Sequence, residues 1–191
     1  MMYQAKGNLA VINAQNVERI ILFGDIHGDF DALEQGISLW NENDLLLFLG
    51  DYADRGPEGI EVIEEILGLL DHYPDRVVAL KGNHEDYDKH GNPRFAPCTL
   101  IREAETKRRG WQTFQSTFFE FVSKLFLSAV LPHRALFLHG GIHTQLDSVE
   151  ELVNPNETVR TSILWSDPGE YNGEHPNSRG AGTVFGADVT H

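Results

Sequence analysis

Apolar runs alternate with helix-like patterns through the first half of the chain. Residues 30–40 and 60–70 carry apolar side chains at helical spacing, and Pro74 marks the end of the second pattern. Three short apolar runs, each followed within two residues by glycine, predict buried strands at residues 20–23, 45–49 and 77–80. Strands that alternate with helices in this way predict an α/β domain with a largely parallel sheet.

The second half is less regular. Residues 84–97 are polar and rich in turn formers, which predicts a long loop. Residues 99–129 show a helical pattern that is broken around Gly110. Residues 135–138 predict a fourth strand, and residues 168–179 predict a Gly-, Pro- and Asn-rich loop before a short apolar run at 183–185.

The composition is that of a single globular domain covering residues 1–191, with 41% hydrophobic and 23% charged residues. The formal net charge is −14, which argues against electrostatic binding to nucleic acid or to an acidic membrane. The first ten residues lack the apolar core of a signal peptide, and no apolar run approaches the length of a membrane span. The sequence therefore predicts a cytoplasmic protein.

The single cysteine and the nine histidines limit the kinds of metal site. Cys98 has no second cysteine with which to form a disulfide or a thiolate zinc site. We therefore expect any bound metal to be held by histidine, carboxylate, amide oxygen and water.

Each predicted strand ends in a short motif of Gly, Asp, His or Asn. Because ligands bind at the carboxyl ends of strands in open α/β sheets, we expect the four motifs to converge. A cluster rich in carboxylates is costly unless cations neutralise it, and these ligand types suit Mn, Fe or Zn. The polar residues in the motifs are Asp25, His27, Asp51, Asp54, Arg55, Asn83, His84 and His139.

The spacing within the motifs suggests two cation sites. In an extended segment Asp25 and His27 project to the same face and can bind one ion. Asp51 can bridge to a second ion, which Asn83 and His139 complete. Two ions about 3.5 to 4 Å apart can share a hydroxide, lower its pKa and stabilise an in-line displacement at phosphorus.

Each motif taken alone also has a structural explanation. Asp25 is compatible with a helix N-cap, and Asp51 and Asp54 with turns in which Arg55 is a surface ion-pair partner. A lone histidine such as His84 is more often a hydrogen-bonded structural residue than a ligand. The occurrence of all four motifs in order at strand ends favours the metal site.

The four motifs closely resemble those of the phosphoprotein phosphatases, within the calcineurin-like metallophosphoesterases. The resemblance runs from about residue 20 to the C-terminus. It includes Trp165-Ser166-Asp167-Pro168, Ser178-Arg179-Gly180 and Phe185-Gly186, which are similar to the serine/threonine protein phosphatase subgroup. It implies a sandwich of mixed β-sheets flanked by helices, two divalent ions with Mn favoured over Fe or Zn, and a phosphoprotein or small phosphorylated substrate.

By the same resemblance, Asp25, His27 and Asp51 hold the first ion, and Asp51, Asn83 and His139 hold the second. A hydroxide between the two ions is then the direct nucleophile.

The resemblance also implies roles beside the metals. Arg55 and Arg179, with Asn83, bind the phosphate oxygens, and His84, oriented by Asp54, protonates the leaving alkoxide. A proton donor of this kind contributes roughly 10²- to 10⁴-fold in rate. Guanidinium groups match phosphate geometry and supply the positive charge that the chain as a whole lacks.

The family pattern includes one more metal-ligating histidine after the Phe-Gly motif. This sequence ends at His191, a few residues beyond Phe185-Gly186. We therefore expect a catalytic domain that is truncated relative to the family and lacks its C-terminal strands. His143, His175 and His191 are the histidines that could substitute.

Other phosphate-handling classes fit less well. A cysteine-dependent phosphatase needs Arg six positions after its Cys, where this chain has Ala104, and there is no P-loop lysine motif. In a dinucleotide-binding site, Asp25 would repel the pyrophosphate. Two alternatives stay open: a bis(5'-nucleosyl)-tetraphosphatase, which hydrolyses diadenosine tetraphosphate, and a non-catalytic metal-binding module.

Overall fold

The computed structural model describes residues 1–88 and 90–190. These residues form three sheets with helices beside them. The strands are β1 (Tyr3–Lys6), β2 (Leu9–Ile12), β3 (Arg19–Phe23), β4 (Asp44–Phe48), β5 (Val77–Ala79), β6 (Ser128–Leu131), β7 (Ala135–Phe137), β8 (Asp167–Pro168), β9 (Glu174–Pro176) and β10 (Thr183–Phe185). The α-helices are α1 (Phe30–Ile37), α2 (Gly59–His72), α3 (Leu100–Lys107), α4 (Trp111–Ser123) and α5 (Glu157–Trp165).

The first sheet is parallel, in the order β3-β4-β5, and it confirms the three predicted strands, although β3 is an edge strand in which no residue is buried. Every residue of the central strand β4 is buried. Its side chains alternate between two apolar layers, as the period of a strand requires. Leu46 and Phe48 face helices α1, α2 and α4, whereas Leu45 and Leu47 face the second sheet.

The second sheet has the order β1-β2-β6-β7, with β2 parallel to β6 and antiparallel pairing elsewhere. Ala10, Ile12 and Ala129 from this sheet pack against Leu45 and Leu47 of the first. The result is a sheet-on-sheet sandwich with helices α1, α2 and α4 on the outer face of the first sheet and α5 on the outer face of the second. This arrangement confirms the predicted α/β class with mixed sheets flanked by helices.

Two sequence predictions for this second sheet are wrong. Residues 128 and 129 belong to strand β6 rather than to a helix, because they pair with Leu9 and Ala10 of β2. The predicted strand at 135–138 forms as β7, but it pairs antiparallel with β6 instead of extending the parallel sheet. The hairpin formed by β1 and β2 is not anticipated by the sequence pattern.

The helices follow the predicted patterns, with one addition. The chain breaks between α3 and α4 at Arg109 and Gly110, which both have positive φ, as the pattern around Gly110 predicts. Helix α5 is an addition, and Asn156 caps it by accepting a hydrogen bond from the Val159 amide at 3.0 Å. The predicted loop at 168–179 is wrong in part, because β8 and β9 flank β10 in a small third sheet.

Within the described residues, no helix combines the length and the apolar character needed to cross a lipid bilayer.

The apolar face of α4 supplies a test of the sandwich. Phe121 is fully buried, and its ring meets Tyr52 edge-on at 5.0 Å. We expect Phe121→Ala to lower the free energy of unfolding by about 3–5 kcal/mol, because the substitution leaves a cavity against α2 and β4. Urea denaturation measures this change. The neighbouring exposed residue provides the control. Glu120→Ala should change the free energy of unfolding by less than about 0.5 kcal/mol. Similar effects of both variants would contradict the placement of Phe121 in the core.

Candidate metal centre

Loops from both large sheets meet at one edge of the parallel sheet. Asp25 follows β3, Asp51 follows β4, and Asn83 follows β5. His139 comes two residues after β7 in the second sheet. The convergence expected at one rim therefore involves two sheets rather than one.

Two glycines allow the loops after β4 and β5 to approach each other closely. Gly50 has φ +111°, and a Cβ there would collide with the backbone of Gly82. A Cβ on Gly82 would collide in turn with the Asp51 carboxylate. Because Gly50 and Gly82 meet through their backbones, their contact fixes Asp51 beside the segment that carries Asn83 and His84.

Asp25 and His27 lie close together, but the segment between them is not extended as their spacing predicts. His27 has φ +49°, in the left-handed region, and its amide donates to the Asp51 carbonyl at 2.9 Å. Its Nε2 lies 3.7 Å from Asp25 Oδ2. Helix α1 is capped by Asp29, whose Oδ1 accepts from the Ala32 amide at 3.0 Å, so Asp25 is not the helix cap.

The hydrogen bond of His27 fixes the tautomer of its ring. Nδ1 lies 2.9 Å from the Ala53 carbonyl, which can only accept, so Nδ1 carries the hydrogen. The remaining nitrogen, Nε2, points towards Asp51 Oδ2 at 3.5 Å and is buried without a hydrogen-bond partner among the described residues. A buried, unpaired imidazole nitrogen beside carboxylates is the arrangement expected of a metal ligand.

His139 repeats this arrangement from the other sheet. Its Nδ1 lies 3.0 Å from the Leu49 carbonyl, so Nδ1 carries the hydrogen and Nε2 is an acceptor. Nε2 faces two further acceptors, Asn83 Oδ1 at 3.0 Å and Asp51 Oδ1 at 3.4 Å. Acceptors that face one another need a cation between them, so these residues fit divalent metal ions.

The donor atoms form two groups that share Asp51. In one group Asp25, Asp51 and His139 each offer an atom within 4.8 Å of the others. In the second group Asp51 is joined by His27 and His84. This division differs from the pairing that the resemblance implies, in which Asp25 and His27 share one ion.

His84 is held by a buried carboxylate. It lies in a short 3-10 helix, Asn83–Glu85, and its Nδ1 is 2.8 Å from Asp54 Oδ2. Burial alone would raise the pKa of Asp54, but hydrogen bonds from His84 and from the amides of Leu100 and Thr99 outweigh it and hold the pKa below its usual value. Asp54 is therefore ionised, and its contact with Nδ1 leaves Nε2 as the second nitrogen of His84 available for another partner.

Glu85 has a structural role that the sequence pattern did not reveal. Its buried carboxylate accepts from the amides of Asp51 and Gly82, both at 2.9 Å, and from Tyr52 at 3.1 Å. Burial and the nearby charge of Asp51 raise the pKa of Glu85. One side chain thus joins the loops after β4 and β5.

A cavity of about 710 Å³ opens beside these residues. Its wall includes Asn83, His84 and Trp165, together with the two arginines, Arg55 and Arg179, that the sequence analysis assigned to phosphate. Arg179 also lies 3.1 Å from Asp167. Arg94 is a third arginine in the wall, and the sequence analysis did not single it out.

Of the three histidines that could substitute for the family's further metal ligand, two lie away from these donor groups. His143 Nε2 is 3.6 Å from Glu174, and His175 Nε2 donates to the Asn172 carbonyl at 2.8 Å. Within the described part of the chain, neither joins a group of potential metal ligands. His191 lies outside the described residues.

Comparisons with known proteins identify a family that matches most of the chain. The family model for calcineurin-like phosphoesterases matches residues 18–191. A probable serine/threonine-protein phosphatase of Encephalitozoon cuniculi is 29% identical over 188 residues, which cover 94% of this chain and 40% of the relative.

Solved structures share the fold. A protein serine/threonine phosphatase from Saccharomyces cerevisiae has a TM-score of 0.78 at 24% identity, covering 98% of this chain and 60% of the yeast chain. A putative diadenosine tetraphosphatase has a TM-score of 0.50 at 20% identity, covering 81% of this chain and 63% of its own. The chain thus spans 40% of the length of the curated relative and 60% of the yeast structure.

The shared position of Asp51 in both donor groups predicts the effect of its removal. We expect Asp51→Asn to abolish tight binding of Mn²⁺, because it removes the charge common to both groups while it preserves the side-chain shape. Equilibrium dialysis with metal analysis measures the bound ion, and circular dichroism checks the fold. Asp71→Asn, on the exposed surface of α2, should bind as the unaltered protein does; undiminished binding by Asp51→Asn would refute the assignment.

Proposed function

The chain belongs to the calcineurin-like phosphoesterase family, and from this premise we propose that it hydrolyses phosphate monoesters of serine and threonine side chains in proteins. One observation carries the proposal: the buried His84–Asp54 pair lies beside the cation-binding acceptors and opens onto an arginine-lined cavity. The 29% identity to a probable serine/threonine-protein phosphatase supports the same substrate class.

Members of this family use divalent metals, and five residues of this chain would hold two of them. We assign Asp25, His27, Asp51, Asn83 and His139 to that role, with Asp51 common to both ions. Their hard oxygens and neutral imidazoles favour Mn²⁺, with Fe or Zn as alternatives. When bound, the ions would lower the pKa of a water and offset the negative charge of the phosphate.

The arginines and Asn83 orient the substrate. Arg55 and Arg179 share a cavity wall with Asn83, and guanidinium groups bind phosphate oxygens bidentately. Because the whole chain carries −14, this local positive charge is needed to bring in a phosphate dianion. No covalent phosphoenzyme is required.

His84 is the candidate general acid. Ionised Asp54 accepts the hydrogen of Nδ1 and holds the ring, so Nε2 can carry the proton that the leaving alkoxide of serine needs. The amides of Thr99 and Leu100 hold Asp54 from its other side. The pair is therefore rigid before substrate arrives.

A nucleotide substrate is the second candidate. The fold is similar to that of a putative diadenosine tetraphosphatase. That likeness concerns the fold alone, and Trp165-Ser166-Asp167-Pro168, which is similar to the serine/threonine protein phosphatase subgroup, favours the protein phosphatase.

Reconstitution with metal tests the proposed function. Protein stripped with chelator should be inactive and should regain hydrolysis of a phosphoserine peptide when Mn²⁺ is restored. Its kcat/KM for the peptide should exceed that for diadenosine tetraphosphate. The opposite ranking would favour the nucleotide hydrolase, and metal binding without turnover of either substrate would favour a non-catalytic module.

Replacing the candidate acid should affect poor leaving groups most. We expect His84→Asn to lower kcat for the phosphoserine peptide by roughly 10²- to 10⁴-fold. The loss for p-nitrophenyl phosphate should be much smaller, because nitrophenolate leaves without protonation. His133→Asn, in the exposed turn between β6 and β7, is the matched control. Equal losses on the two substrates would refute the acid role.

A further inference from the structure

Arg94 lies on an ordered segment beside the candidate site. Its amide donates to the Asp86 carbonyl at 2.9 Å. Just before it, the Asp88 carboxylate accepts from the amides of His90 and Asn92 at 2.8 and 2.9 Å. These bonds fix the backbone around Arg94, although the sequence pattern predicts only a long loop.

The residue after Arg94 anchors this segment to the candidate acid. The Phe95 side chain is 8% exposed, and its ring centroid lies 4.4 Å from that of His84 and 5.5 Å from that of Tyr87. Arg94 itself is exposed and lines the same cavity as His84. The anchor therefore holds the Arg94 guanidinium at the rim of the candidate site.

The cavity has more positive charge than one phosphate requires. Its wall contains Arg55, Arg94 and Arg179 and, among the described residues, no carboxylate. Arg179 is paired with Asp167, whereas neither Arg55 nor Arg94 has a carboxylate within 4.0 Å in the described part of the chain. An unpaired guanidinium that shares a cavity wall with His84 is placed to bind an anion from outside the chain.

The nearby acidic side chain does not neutralise Arg94. Asp86 lies 3.2 Å from Arg160 and 3.9 Å from Lys81, so two cations already share its charge. The charge of Arg94 is therefore not neutralised by Asp86.

We propose that Arg94 binds a second anionic group of the substrate, the carboxylate of an acidic residue next to the phosphorylated serine or threonine. This inference rests on the proposed function and deepens it. A volume of about 710 Å³ accommodates a phosphorylated side chain with its neighbours, which is far more than one phosphate group fills. With Arg55 and Arg179 on the reacting phosphate, Arg94 is the arginine left for this contact.

Matched phosphopeptides test the proposal. Two pairs of peptides are compared. Within a pair, both peptides have the same length and the same phosphoserine, and they differ only in carrying two aspartates or two asparagines beside it. In one pair these residues precede the phosphoserine, and in the other pair they follow it. We expect the unaltered enzyme to prefer the aspartate peptide of at least one pair. Arg94→Ala should lower that preference in kcat/KM by about three- to fivefold, the effect of one exposed ion pair. Arg94→Glu should reverse the preference, and Arg94→Lys should retain most of it.

Salt and a surface control separate this contact from a general charge effect. The preference should fall as ionic strength rises, because an exposed contact of this kind is screened. Arg134→Ala removes an exposed arginine in the turn between β6 and β7 and should leave the preference unchanged. An equal loss in Arg134→Ala would overturn the proposal.

The remaining outcomes distinguish this inference from the proposed function. If Arg94→Ala lowers hydrolysis of both peptides and of p-nitrophenyl phosphate by the same factor, Arg94 binds the reacting phosphate and the proposal is overturned. If only diadenosine tetraphosphate hydrolysis depends on Arg94, the second anion is a phosphate and the peptide proposal is wrong. Absence of all turnover with Mn²⁺ in the unaltered enzyme would instead contradict the proposed function itself.

Discussion

A buried carboxylate that faces imidazole acceptors at both of its oxygens is the constraint on which this site depends. Asp51 is 2% exposed, and imidazole nitrogens of His27 and His139 approach its two oxygens at 3.5 and 3.4 Å. The other nitrogen of each ring donates its hydrogen to a backbone carbonyl, so the nitrogens that face Asp51 offer lone pairs rather than hydrogens. Such an arrangement is unfavourable without positive charge, and the cations that we propose to bind here would supply that charge.

The sandwich explains how these acceptors are brought together. Strand β4 is buried by helices on one side and by the second sheet on the other, so its end cannot move freely. The second sheet then delivers His139 to the same place from a separate layer. The proposed metal ligands are thus tied to the apolar core through short loops, which is how a rigid scaffold positions reactive side chains.

The sequence predicts the parts of this structure that depend on local pattern. Strands β4 and β5 are readable because burial on both faces makes them continuous apolar runs, whereas β3 is readable from its β-branched and aromatic residues although none of them is buried. Strand β6 cannot be predicted in this way. Apolar residues continue past Ser123 at helical spacing, and no Gly or Pro ends the helical pattern before Leu131. Likewise the motifs identify candidate ligands, but the left-handed backbone of His27 and the anchoring of Phe95 arise from tertiary contacts that no short segment encodes.

The Glu85 carboxylate gives the site a mechanical property. Because the Glu85 side chain accepts hydrogens from main-chain amides of both loops, it fixes the separation of those loops. Glu85 belongs to the loop after β5, so separation of the two loops would leave the buried amides of Asp51 and Tyr52 without their acceptor, and the loops therefore order and disorder as one cooperative unit. Ion affinity and loop rigidity should therefore rise and fall together.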